Sequence, residues 1–144
     1  EISTRDWSSD VCSSDLGAFL NGEAIRVTST ADIARALLAS GFPYDVWTNP
    51  INNCRQWEKA IRRTISVRCD GAASIDLAYV AAGRIDGYWE LDLEAWDMAA
   101  GVLLVQEAGG RVSQCSGKDF SIKQRNVLAS NGPLHPALLA LLND

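Results

Sequence analysis

The chain has 144 residues, the length of one domain, and its 47% hydrophobic content is enough to bury a single core. A net charge of -5, from 13 basic and 18 acidic residues, leaves no broad positive surface for a nucleic-acid backbone or an anionic membrane. No apolar run approaches the roughly 20 residues of a bilayer span and no basic-then-apolar leader opens the chain, so a cytoplasmic protein is expected.

Residues 1–16 contain Trp7-Ser8-Ser9-Asp10-Val11 followed by Cys12-Ser13-Ser14-Asp15-Leu16, a near-repeat rich in Ser and Asp with no amphipathic period. It resembles a translated sequencing-adaptor string. The segment is therefore expected to be non-native or disordered, with the folded domain spanning residues 17–144.

From Gly17 the elements follow in order. Asn21-Gly22 marks a tight turn and Ala24 to Val27 a short strand, together a hairpin. Ile33 to Phe42 is an apolar run closed by Gly41 and Pro43, in which helix and strand are not separable by pattern. A loop at Pro50-Ile51-Asn52-Asn53 leads to a helix through Trp57 and Ile61, and Thr64 to Arg68 alternates as a strand. Gly71 to Ala82 is a helix with Ile75, Leu77, Ala78 and Ala81 as its apolar stripe, stopped by Gly83.

Ile85 to Leu91 reads as a strand and Glu94 to Ala108 as a buried helix ending at Gly109-Gly110. Trp96 is suited to anchor the start of that helix in the core, and Ala99-Ala100-Gly101 allows close packing on a neighbour. Arg111 to Ser113 and Val127 to Ser130 are strands separated by a turn at Ser116-Gly117-Lys118, and Pro136 to Leu142 closes as a helix. Strands alternating with helices specify a layered α/β fold.

The cysteines, Cys12, Cys54, Cys69 and Cys115, form no CxxC pair, so reduced thiols are expected. His135 is the only histidine. Beside Pro133 and Pro136 it is expected on a surface turn, and its solitude rules out a His-rich metal site. Asp97, at the first turn of a helix, can serve as a dipole partner or as a fixed oxygen for a hard cation. Glu90 reads as a strand-end acid, and Asp92 and Glu94 as surface charge.

Trp96-Asp97-Met98-Ala99-Ala100-Gly101 followed by Glu107-Ala108-Gly109-Gly110 resembles the carboxyl-terminal signature of the inositol monophosphatase family. Tyr88-Trp89-Glu90 stands at the family's spacing before it, and agreement runs upstream through Asp76 to Arg84, Gly41-Phe42-Pro43-Tyr44-Asp45 and the Asn21-Gly22 turn. The resemblance covers the second half of a family member. It implies that Asp97 is a ligand of a catalytic Mg2+, that Glu90 accepts hydrogen bonds from polyol hydroxyls, and that backbone amides of Gly71, Ala72 and Ala73 face the substrate at a helix start. Ala72 stands where relatives carry a hydroxyl residue, and Arg68 is the one arginine kept of two ahead of this glycine.

The implied reaction is magnesium-dependent hydrolysis of a small-molecule phosphate monoester of inositol or a related polyol. Histidinol phosphate, fructose bisphosphate and nucleotide phosphates are the substrates of relatives sharing the signature, and homodimers occur in the family. The remaining metal carboxylates of the family lie in an amino-terminal half with no counterpart here, so this polypeptide is expected to be silent by itself, with Leu37, Leu38 and Val80 exposed by truncation. A different class of function, a non-enzymatic module binding the transcription or ribosome-assembly machinery, is implied by some bacterial relatives.

Overall fold

A computed structural model describes residues 17–144; the reading of residues 1–16 lies outside them. Asn21 and Gly22, both at positive φ, close a hairpin of β1 (Phe19–Leu20) and β2 (Glu23–Ala24). The second strand is shorter than the expected Ala24 to Val27, because the Val27 amide turns away to the Ala108 carbonyl.

A 3-10 turn at Ile33–Arg35, capped by the Asp32 carboxylate, leads into β3 (Leu37–Ser40). Of the ambiguous apolar run, Leu37–Ser40 is thus a strand buried between two parallel neighbours, where no face is left polar to advertise a period. There follow α1 (Cys54–Ile61), β4 (Ser66–Arg68), α2 (Ala73–Ala81), β5 (Gly87–Leu91), α3 (Ala95–Glu107), β6 (Arg111–Ser113), β7 (Asn126–Ser130) and α4 (His135–Asn143). The five larger strands form one mixed sheet in the order β4-β3-β5-β7-β6, parallel on the β4-β3-β5 side and antiparallel beyond β5.

Strand alternation divides the core into two layers. Ala39, Tyr88, Val127 and Ala129 face α2 and α3, whereas Leu38, Trp89 and Leu128 face α1 and α4. The layers are helix, sheet, helix, as the sequence indicates. Gly101 brings α3 against α2: a Cβ at that position would stand 2.5 Å from the Leu77 Cβ, so within the small-residue run it is Gly101 that makes the close contact, while Ala99 and Ala100 are exposed.

Four expectations are corrected by this packing. Leu38 and Val80 are fully buried and Leu37 partly so, because the two helical layers cover both sheet faces without further chain. Ile75 lies outside the α2 stripe, which is carried by Leu77, Val80 and Ala81. Trp96 is 77% exposed; α3 is anchored instead by Met98, Val102 and Val105 one turn and more along. His135 is no surface residue: it opens α4 fully buried, its Nδ1 2.8 Å from Ser130 Oγ and its Nε2 2.9 Å from Ser113 Oγ.

Burial, aided by the positive charge of Arg111, pushes the His135 imidazole down to about 4. The unfolded chain takes up a proton near pH 6.5 that the folded chain refuses, so stability is whole above that pH and lost as pH falls toward 4. Denaturant titrations should show up to about 3 kcal/mol of loss over this window. The loss should be smaller in a His135→Gln chain; an equal acid loss in the variant would contradict the assignment.

Candidate functional site

The residues singled out from the sequence converge where β5 ends. Glu90 follows Tyr88 by two and shares its face, so both side chains point to the α2–α3 layer. The Tyr88 hydroxyl donates to Glu90 Oε2 in a short hydrogen bond. Burial raises the Glu90 carboxyl pKa, and the Asp97 charge raises it further against the opposing effect of that bond. Tyr88 is itself pushed far up by burial and by the Glu90 charge.

Asp97 sits at the third position of α3, where its Oδ2 accepts the Glu94 amide at 3.0 Å as part of a capping box. The carboxylate is thereby held at the helix start, and among the described residues Oδ1 accepts no hydrogen bond. Glu94 is more than surface charge: it caps α3, and with Asp92 it grips Arg125 at 2.8 and 3.0 Å. The chain between β5 and α3 is fixed by these contacts, with Asp92 taking a φ of 64° to make the corner.

The start of α2 completes the corner. Gly71 has a φ of +78°, and Ala72 occupies the N-cap with no side-chain bond to the first turn, so the Ala73 and Ser74 amides point out unsatisfied by a cap. The sequence reading missed the group below them. Asp76 is 1% exposed and its Oδ1 has no hydrogen-bond partner, which is rare for a buried carboxylate. Burial, then the charges of Asp70 and Glu90 and a bond to Asp70, push its carboxyl up to about 7. Cys69 feels the same surroundings, its thiol raised by burial and by Glu90, Asp76 and Asp70. A single acid within the apolar run Ile75 to Ala82 was the available signal.

The corner can therefore offer carboxylate acceptors from Glu90 and Asp97 beside helix amides, with Asp76 buried beneath them. Among the described residues no three His, Cys, Asp or Glu side chains are grouped to hold an ion. A recess of about 310 Å³ lies on the other sheet face, between Trp89, Leu91, Gln114, Cys115, Asn126 and Asn143. Its lining has no carboxylate, and burial pushes the Cys115 thiol up to about 12, so it is unsuited to the same chemistry. Among the described residues Cys54, Cys69 and Cys115 form no disulfide. No helix among the described residues is long and apolar enough to cross a membrane.

Replacing Asp76 by Asn should expose the cost of its burial. The folded state binds a proton between pH 3.9 and about 7 that the unfolded state has released, so the contribution to stability is whole at the acid end and lost as pH rises through about 7. Asp76→Asn should therefore gain on wild type across this window, on the order of 2 kcal/mol at pH 8 by denaturant titration. A gap that does not change with pH would contradict the buried acid. His135 acts in the opposite direction over an overlapping range, so the variant-minus-wild-type difference isolates Asp76.

The sequence profile of the Inositol monophosphatase family matches residues 10–144. A chloroplastic phosphatase named IMPL1 from Arabidopsis thaliana is 46% identical over 126 residues, covering 85% of this chain and 33% of that protein. The Nus factor SuhB of Pseudomonas aeruginosa is 44% identical over 128 residues, covering 88% of this chain and 47% of that protein. The solved inositol monophosphatase of Anabaena superposes with a TM-score of 0.87 at 40% identity, over 90% of this chain and 51% of that one. The chain thus spans about half or less of the length of the relatives it matches.

Proposed function

The chain belongs to the inositol monophosphatase family, and from that premise we propose that the corner formed by Glu90, Asp97 and the start of α2 serves magnesium-dependent hydrolysis of a phosphate monoester of inositol or a related polyol. The observation that carries this reading is the convergence of Glu90 and Asp97 from different elements, close enough for one charge to shift the other's pKa. Glu90 has one oxygen fixed by Tyr88 and accepts a substrate hydroxyl on the other. The Ala73 and Ser74 amides donate to an oxygen of the same ligand.

The Glu90 carboxylate stands beside the helix amides in this corner, so hydroxyl donors are welcome there. The polyol end of the ester therefore lies over Glu90 and α2, with the phosphate on the Asp97 side. Asp97 offers Oδ1 as one magnesium ligand. The chemistry magnesium supplies when bound is a polarised phosphoryl group and a lowered pKa for the attacking water. A hard cation needs about six oxygens, and the other carboxylates must come from outside the described residues.

A second reading, a binding module for transcription machinery, is favoured by the name Nus factor borne by a relative 44% identical. Recovery of RNA polymerase subunits on the immobilised chain without magnesium would support it; recovery of none would remove it.

With myo-inositol 1-phosphate and magnesium, the purified chain should release no phosphate above the blank. Myo-inositol alone should shift the NMR resonances of Glu90, with affinity falling about tenfold in Glu90→Gln, the cost of losing a charged acceptor. Equal affinity in the variant would take Glu90 out of the role. Magnesium-dependent release would overturn the inference that these residues are insufficient.

A further inference from the structure

Gly41 follows β3 directly, and its backbone does not call for glycine: its φ lies outside the left-handed region. Space does call for it. A Cβ built there would stand 2.5 Å from the Cδ, Oε1 and Oε2 atoms of Glu90, so the whole carboxylate rests against the bare Gly41 backbone.

That backbone is held in place by Asn53, which is buried at a φ of 64° just before α1. Its Nδ2 donates to the Gly41 carbonyl at 2.6 Å and to Ser40 Oγ at 2.7 Å, while its Oδ1 accepts the Trp89 indole N–H at 2.7 Å. Ser40 Oγ in turn donates to the Trp89 carbonyl at 2.6 Å. The ring of bonds ties the end of β3 to β5 one residue before Glu90, and every donor in it is satisfied. Tyr88 then holds Glu90 from its own strand.

We infer that Gly41, clamped by Asn53, is a positioning and specificity-determining residue: it leaves the one space in which the Glu90 carboxylate can stand, and so sets which substrate hydroxyl Glu90 reaches. The role for substrate rests on the polyol reading above; the role for Glu90 does not. Any side chain at position 41 swings the carboxylate off the Tyr88 hydroxyl and into the corner where the hydroxyls are to bind. Small relatives of the substrate with a differently placed hydroxyl are then received instead, or none is.

The test is a double-mutant cycle on the whole chain, with Gly41→Ala, Glu90→Ala and the pair, followed by urea denaturation and by carbon-detected NMR of the Glu90 carboxyl with added myo-inositol. Gly41→Ala should lower the folding equilibrium constant roughly tenfold when Glu90 is present and by less than about threefold in the Glu90→Ala background. In the Gly41→Ala chain, the Glu90 carboxyl resonance should shift and lose its response to myo-inositol, while amides of α4 keep their positions. If Gly41→Ala does not fold, rescue by Glu90→Ala supports the proposal and failure to rescue overturns it. Equal cost in both backgrounds, or an unmoved Glu90 carboxyl in a folded Gly41→Ala chain, also overturns it. A wild-type chain that does not respond to myo-inositol sinks the polyol reading, and the cycle still decides whether Gly41 positions Glu90.

Discussion

Strand β5 has no free side. It pairs in parallel with β3 along one edge and antiparallel with β7 along the other, and helices cover both of its faces. Its alternation therefore has one solution: Trp89 must enter the α1–α4 layer, and Tyr88 and Glu90 must enter the α2–α3 layer. A slip of one residue would bury Glu90 in the Leu-rich layer beside Leu128 and Leu138, where it has no partner. The register that fills the core with aromatic rings is the same register that delivers a carboxylate to the corner beside Asp97.

The corner carries an electrostatic cost that the rest of the chain offsets. Asp76 is buried with an unpartnered oxygen, Glu90 is raised by burial and by Asp97, and among the described residues no basic side chain relieves either carboxyl. Folded domains retain such arrangements chiefly where chemistry uses them. Cohesion comes from elsewhere: the two apolar layers, the Gly101 contact between α2 and α3, and the Arg125 clamp behind the corner. The acidic corner and the buried, neutral His135 lie on opposite faces of the sheet and pull stability in opposite directions as pH changes.

The sequence made the element order legible because glycines and prolines punctuate it: Gly83 stops α2 at a φ of +67°, and Gly109 follows α3 at +82°. The pair Glu90 and Asp97 was legible through resemblance, since each alone reads as an ordinary acid. What was not legible is what depends on contacts between distant segments. His135 reads as a turn residue beside two prolines, yet Ser113 and Ser130 from separate strands satisfy both its nitrogens and draw it inside. Trp96 reads as an anchor by its size, but the capping geometry of Glu94 and Asp97 turns position 96 outward. Gly41 and Asn53 were invisible because what they meet lies on β5, Glu90 for Gly41 and Trp89, 36 residues downstream, for Asn53, and only the fold brings them together.

The catalytic role proposed for the corner depends most directly on Asp97 as a magnesium ligand. Isothermal titration of magnesium into the chain and into Asp97→Asn measures it, the carboxamide keeping the cap while removing the charge. Weak binding is predicted for the wild-type chain, on the order of millimolar since one carboxylate leaves most of the coordination shell to water, and none for the variant. Identical isotherms for the two chains would contradict the assignment of Asp97 and, with it, the catalytic reading of the corner.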